Sequence, residues 1–313
     1  MNNNQTVLIA IPEFAKASTE PLNMLKKEGF NIVFNDTDEE LKPDFFKKYF
    51  SNASYVVAGL EIYDSSFFKE FRNIKVISRV GIGIDTIDLI SAEKYDVKIY
   101  NTPDAPSKAV SELTIGLIVN LNRKLFDMHS AFIQGDWAPI LGKQIDGQTL
   151  GIIGLGRIGK LVAITASSMG MKILAHDIVK DLEFTARYGI KYCSLSKLLN
   201  SSNVVSMHLP LYDDTFHFID EKELLIMKQN AIIINTSRGG IINDNALVKQ
   251  LHEGRFYGVA LDVFEKERRP DLYKNLPRTI FLPHIGSSAD KSRIDMEVGA
   301  VKNIIRYHRS IES

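Results

Sequence analysis

The feature that most narrows the fold is Gly154-x-Gly156-x-x-Gly159, which follows an apolar run, Thr149–Ile153, and opens a helical pattern. At that spacing the first glycine makes a tight strand-to-helix turn and the second lets a ligand approach the backbone. The third lets helix and strand pack closely. A helix beginning through Arg157 and Ile158 points unpaired N–H groups and a partial positive charge at an anion such as a pyrophosphate. The next apolar run, Lys172–His176, ends in Asp177, 18 residues beyond Gly159. An acid there accepts hydrogen bonds from ribose hydroxyls and repels a 2′-phosphate. Glycine turn and acid together predict a dinucleotide-binding (Rossmann) domain that prefers NAD to NADP.

The rest of the chain repeats the strand–helix alternation. Val7–Ile11, Asn31–Phe34, Tyr55–Ala58, Val76–Ser78 and Val97–Tyr100 read as buried strands, separated by helix-like stretches such as Thr19–Glu28 and Pro43–Tyr49. A second series comprises Thr149–Ile153, Lys172–Ala175, Val204–Met207, Ala231–Ile234, Gly258–Ala260 and Thr279–Leu282. Such alternation builds parallel sheets with helices on both faces. At 313 residues the chain is too long for one small core, and two doubly wound α/β domains are predicted. Ser107–Gln134 reads as one long connecting helix with an apolar face (Val110, Leu113, Leu117, Leu121, Leu125), entered through a hinge at Thr102–Pro106. Ala289–His308 reads as a final helix.

Composition removes several function classes. Lys+Arg and Asp+Glu are equal at 38 each, which disfavours non-specific binding to nucleic acid or to an anionic membrane. The single cysteine, Cys193, excludes an internal disulfide and a multi-cysteine zinc site; it reads as a packed small hydrophobe, and no metal is expected. No uncharged apolar run approaches the roughly 18 residues of a membrane span. The N-terminal Met1–Gln5 lacks a basic signal-peptide region. The chain reads as a cytoplasmic globular protein.

Ordered along the chain are Arg79-Val-Gly-Ile-Gly-Ile-Asp-Thr-Ile-Asp88, Asn101-Thr-Pro103 with Glu112, the glycine turn, His208-Leu-Pro210, Asn235-Thr-Ser-Arg-Gly239, Asp262-Val-Phe264 and Pro283-His-Ile-Gly286. In these motifs the sequence resembles the D-isomer-specific 2-hydroxyacid dehydrogenases, near their phosphoglycerate dehydrogenase branch, over nearly its whole length. The resemblance implies reversible hydride transfer between NADH and C2 of a small 2-keto acid of the phosphohydroxypyruvate, hydroxypyruvate or glyoxylate type. It implies a flavodoxin-like substrate domain, 1–102 completed by 286–313, and an NAD-binding domain, 103–285. It also implies a homodimer built on the long helix.

Residue chemistry agrees with the roles that the resemblance implies. Arg238 follows a strand at the carboxyl edge of a sheet, and its planar fork suits the substrate carboxylate. His284 can exchange a proton near neutral pH and is the implied general acid/base; Glu267 would pair with it and favour imidazolium. Asp262 is implied to hold the nicotinamide carboxamide, with Thr236, His208 and Pro210 lining adenine and ribose. Backbone N–H groups at Val80 and Gly81 are implied to bind the substrate carboxylate, and Arg79 is a further substrate candidate. Trp137, the only tryptophan, reads as a core or interface residue.

The chain also departs from the family. Arg268-Arg269-Pro270 follows Glu267 where proline is usual, so Glu265 stands as an alternative partner for His284. Thr86 replaces a common asparagine. Ala58-Gly59-Leu60-Glu61 lacks the arginine that phosphoglycerate dehydrogenases carry for the phosphate, leaving Arg79 or another subunit to supply a cation. No regulatory domain follows Ser313, so serine feedback is not expected. The same fold also serves NADH-sensing corepressors, a non-catalytic alternative that Arg238, Glu267 and His284 together disfavour. Formate dehydrogenases place glutamine where Glu267 stands.

Overall fold

Runs of consecutive buried residues form the inner strands: Tyr55–Ala58, Val76–Arg79, Val204–Met207 and Ile232–Asn235 are buried at every position. Strands with no polar face belong to parallel sheets covered on both sides. The computed structural model describes residues 5–35, 43–266 and 270–312. It divides into two units, Met1–Pro106 with Ser287–Ser313, and Ser107–Gly286.

The first unit runs β1 (Thr6–Ile9), α1 (Glu20–Lys27), β2 (Asn31–Phe34), α2 (Pro43–Phe50), β3 (Tyr55–Ala58), α3 (Ser65–Glu70), β4 (Val76–Arg79), α4 (Leu89–Lys94) and β5 (Lys98–Tyr100). Its parallel sheet has the order β2-β1-β3-β4-β5, which is flavodoxin-like.

The second unit runs α5 (Ser107–Arg123), α6 (Leu125–Ile133), β6 (Thr149–Ile153), α7 (Arg157–Ser168), β7 (Lys172–His176), α8 (Leu182–Tyr188), β8 (Lys191–Tyr192), α9 (Leu195–Ser201), β9 (Val204–Met207), α10 (Glu221–Ile226), β10 (Ile232–Asn235), α11 (Asp244–His252), β11 (Gly258–Leu261) and β12 (Thr279–Phe281). Its sheet order, β12-β11-β10-β9-β6-β7-β8, reverses direction between β6 and β9. Ligands of open α/β sheets bind at such a switch point, beyond the carboxyl ends of the strands. Local signals set the helix starts: the Asn243 side chain accepts from the Ala246 N–H, and Asp220 and Glu223 form a capping box on α10. The chain then returns to the first unit as α12 (Asp290–Glu312), whose Met296, Ala300, Val301 and Ile304 pack with Val7, Ile9, Leu25 and Val57.

The long connecting helix predicted over Ser107–Gln134 is two helices. Lys124 breaks it with φ 55°, in the left-handed region. The Asn122 carbonyl, which a continuous helix would use, accepts the Lys143 N–H instead at 2.7 Å. Gly142 permits that approach, since a Cβ there would lie 2.8 Å from the same carbonyl oxygen. Val110, Leu117 and Leu121 are buried as read, but Leu125 lies beyond the break and is exposed. Among the described residues no helix is long and apolar enough to cross a membrane.

Candidate active site

The glycine turn has the steric form its spacing requires. Gly154 takes φ +92°, and a Cβ on it would meet the His208 carbonyl oxygen; a Cβ on Gly159 would collide with the Gly154 carbonyl. Gly156 differs, because a Cβ there would meet nothing within 4 Å. It is exposed and caps α7 without a side-chain bond, and Arg157 and Ile158 begin the helix that follows it. Two of the glycines are therefore demanded by packing, and the third leaves room for an anion. Asp177 sits beside the turn: its Oδ2 accepts the Leu155 N–H at 2.6 Å and its Oδ1 accepts the Val179 N–H at 2.9 Å.

His208 lies across the turn after β9. Burial pushes its pKa down to about 4, so the ring is neutral at physiological pH. Nε2 lies 3.0 Å from Ser206 Oγ, while Nδ1 is buried with no hydrogen-bond partner among the described residues. A buried polar atom without a partner beside a bare glycine turn suits a polar ligand, and this set of residues fits NAD. Pro210 is exposed, and its carbonyl accepts from Thr215 Oγ1 at 2.7 Å. Thr236 is buried, its hydroxyl sharing a 2.9 Å hydrogen bond with Thr114 on α5.

Three adjacent strands carry the remaining chemistry at their carboxyl ends. At β10, buried Asn235 folds the following loop onto itself: its Oδ1 accepts from the Ser237 N–H and hydroxyl, and its Nδ2 donates to the Arg238 carbonyl at 2.8 Å. At β11, Asp262 is 1% exposed and binds the loop after β12. Its Oδ1 accepts the Ile285 N–H at 2.8 Å and its Oδ2 accepts the Gly286 N–H at 2.7 Å. The Asp262 carbonyl takes the His284 N–H at 3.0 Å. His284 itself has φ 55°, a left-handed conformation that this three-bond clasp holds in place. Arg238 and His284 thus flank the strand of Asp262 on one sheet edge, and the clasp on His284's loop is what the structure shows Asp262 doing.

Glu267 lies outside the described residues. Its sequence alternative, Glu265, is otherwise engaged: its Oε1 accepts from His217 Nε2 at 2.8 Å and from the Asp244 N–H at 2.9 Å.

In the first unit the structure corrects two readings. The Val80 N–H donates to the Ala58 carbonyl at 3.0 Å, and the Gly81 N–H donates to Thr102 Oγ1 at 2.9 Å. Both donors are spent within the fold, and Val80 is a core residue. The N–H groups of Ile82 and Gly83, two residues on, have no acceptor among the described residues. Arg79 is 7% exposed and turned inward, its guanidinium donating to the carbonyls of Gly59 and Gly83. Nearby, Glu61 is 4% exposed; its Oε2 accepts from the Gly59 N–H at 2.7 Å and from the Tyr63 hydroxyl at 3.1 Å. Burial pushes the Glu61 carboxyl up, and the Arg79 charge opposes that rise. Arg79 is thus bonded into the fold through two backbone carbonyls, near enough to Glu61 for the two groups to interact electrostatically.

Sequence reading passed over Asn235, His217 and Thr102 as site-shaping residues. Asn235 stood inside a quoted motif, where an Asn ahead of Ser signals a side-chain–backbone turn. His217 and Thr102 carried no local signal, since their partners lie 48 and 21 residues away. Among the described residues no group of acidic, histidine or cysteine side chains could hold a metal ion.

Residues 115–286 match the family model of the D-isomer-specific 2-hydroxyacid dehydrogenase NAD-binding domain. A glyoxylate reductase of Thermococcus litoralis is 36% identical, with the match covering 78% of this chain and 77% of the relative. A hydroxypyruvate reductase of Thermotoga maritima is 33% identical over 90% of this chain and 95% of its own. Among solved structures, an Aquifex aeolicus D-lactate dehydrogenase complexed with NAD and lactic acid superposes with TM-score 0.86 at 26% identity, covering 98% of this chain and 96% of its own. The chain belongs to the D-isomer-specific 2-hydroxyacid dehydrogenase family. It is an oxidoreductase, an NAD-dependent 2-hydroxyacid dehydrogenase.

Proposed function

We propose that the substrate is a small unphosphorylated 2-keto acid of the glyoxylate or hydroxypyruvate kind, reduced reversibly to its 2-hydroxy acid. The observation that carries this reading is the inward turn of Arg79, which is 7% exposed and bonded to the Gly59 and Gly83 carbonyls. A phosphate dianion would need a cation, and this one is committed to the fold. The relatives named glyoxylate reductase and hydroxypyruvate reductase support the same substrate class.

NAD supplies the hydride donor or acceptor when bound. The glycine turn and the start of α7 would hold its pyrophosphate and Asp177 its ribose hydroxyls. Arg238 holds the substrate carboxylate with its planar guanidinium, which the Ser237 carbonyl steadies by accepting from Nη1 at 2.7 Å while Asn235 fixes the 235–238 loop. His284 gives a proton to the keto oxygen in reduction and takes it back in oxidation. Glu267 is assigned as its orienting partner on sequence grounds. In the first unit, Ile82 and Gly83, rather than Val80 and Gly81, carry backbone donors with no acceptor among the described residues. A homodimer is proposed through the exposed apolar residues of α6 and the segment after it, Phe126, Phe132, Ile133, Trp137 and Leu141. Light scattering that returns a monomer mass would refute it.

The test of substrate class follows NADH oxidation with glyoxylate, hydroxypyruvate, pyruvate, 2-oxoglutarate and 3-phosphohydroxypyruvate, repeated with NADPH. Higher kcat/KM on glyoxylate or hydroxypyruvate than on the phosphorylated acid is the expected result. Preference for the phosphorylated acid overturns the reading.

A further inference from the structure

We infer that His217 and Glu265 form a bridge that positions Arg238. This rests on the reading of Arg238 as the carboxylate-holding group. Arg238 is followed by two glycines, and each marks a close crossing of backbone. A Cβ on Gly239 would collide with the Phe264 carbonyl, so on that side the segment lies against Phe264–Glu265. A Cβ on Gly240, at φ +80°, would lie 3.2 Å from the Phe216 ring. On that second side the chain runs beside Phe216–Ile219: the His217 N–H donates to the Gly240 carbonyl at 2.6 Å, and the Ile219 N–H to the Ile241 carbonyl at 3.0 Å.

The arginine's segment is therefore held between two strips of chain, and one side-chain bond joins the strips. His217 Nε2 donates to Glu265 Oε1 at 2.8 Å. Both ends of that bond are fixed. Glu265 and Asp244 exchange reciprocal bonds, the Asp244 N–H to Glu265 Oε1 and the Glu265 N–H to Asp244 Oδ2, both 2.9 Å. His217 is held at φ 51° with its ring stacked on Phe216, centroids 3.9 Å apart. A non-glycine residue in the left-handed region persists where its surroundings over-determine it. Neither side chain reaches the substrate in this assignment; both are positioning residues that act through the direction of the Arg238 fork.

The test uses the whole protein with glyoxylate and NADH as probes. His217→Asn keeps a residue tolerant of left-handed backbone but cannot reach Glu265. Glu265→Ala removes the acceptor, and Glu265→Gln keeps one. The expected result is a rise of roughly tenfold in KM for glyoxylate in His217→Asn and Glu265→Ala, with kcat within about threefold, NADH affinity within about twofold, and Glu265→Gln close to wild type. In an Arg238→Ala background, adding His217→Asn should change kcat/KM by less than about twofold, because the bridge acts only through the arginine. Unchanged KM in both single variants, or a full additive loss in the double variant, overturns the proposal while leaving Arg238's role intact. Wild-type kcat/KM in Arg238→Ala alone would instead sink the underlying reading. If His217→Asn folds poorly, the contrast between Glu265→Ala and Glu265→Gln decides on the same thresholds.

Discussion

The two units present the same kind of surface, the carboxyl ends of parallel strands, and treat it in opposite ways. In the second unit the β6–α7 turn keeps one side bare: a Cβ on Gly156 would meet nothing within 4 Å, and Gly156 brings no side chain to the start of the helix. In the first unit the β3 and β4 turns draw charge inward, with Arg79 bonded to two carbonyls and Glu61 buried beside it. One unit offers backbone dipoles to a large anionic cofactor. The other uses its charges as framework and leaves a pair of backbone donors at Ile82 and Gly83. A cation's presence in a motif therefore says little about whether it meets ligand; what bonds it already makes decides that.

Substitutions in the second unit should have the largest effects, and modest ones there would break the contrast. Arg238→Ala is expected to lower kcat/KM on glyoxylate by about a thousandfold or more, several kcal/mol of transition-state stabilisation, with NADH binding retained. His284→Asn should lower kcat by roughly 10²–10⁴-fold in steady-state assays while fluorescence titration still shows NADH binding.

The next effect reads the buried histidine. His208 has a folded pKa of about 4, below the unfolded value of roughly 6.5. Because the unfolded chain binds the proton more readily, stability is full above about pH 6.5 and declines as pH falls toward 4, by up to about 3 kcal/mol. His208→Gln should flatten that acid limb in urea melts across the same window; an unchanged limb would mean the ring is not held neutral.

Gly159→Ala tests whether packing, not ligand approach, demands the third glycine. The new methyl group meets the Gly154 carbonyl, so Gly159→Ala should lower the free protein's stability in urea melts, whereas Gly156→Ala, whose methyl meets no protein atom, should leave stability nearly unchanged and lower NADH affinity; an unchanged melt for Gly159→Ala would sink the packing reading. The smallest effect sharpens the picture of the first unit. Glu61→Gln removes an acidic group near Arg79, and the ratio of kcat/KM for 3-phosphohydroxypyruvate to that for hydroxypyruvate should rise about fivefold. An unchanged ratio would show that the balance of the two charges does not set substrate class.

The strands were legible because each is a short Val- and Ile-rich run, and Asn31–Phe34, Tyr55–Ala58, Thr149–Ile153 and Val204–Met207 fall where their composition puts them. The long helix was not, because the carbonyl that ends it is claimed by Lys143, 21 residues along the chain. The site divides in the same way. Periodicity and glycine spacing located the cofactor turn, since that turn is built by residues within one strand–helix unit.

On sequence alone the Val80 and Gly81 N–H groups read as free to bind a ligand, because nothing local says that the Gly81 N–H is taken by Thr102. By itself, the sequence determined two parallel α/β sheets, a glycine turn with its acid Asp177, and the order of Arg238 and His284 at strand ends. Those follow from short-range sterics and from the alternation of buried and amphipathic runs. Only the tertiary structure decided which donors and charges remain open to a ligand. It turned Arg79 inward, clasped the His284 loop with Asp262 and joined His217 to Glu265, because a polar group's availability depends on every partner the fold brings to it.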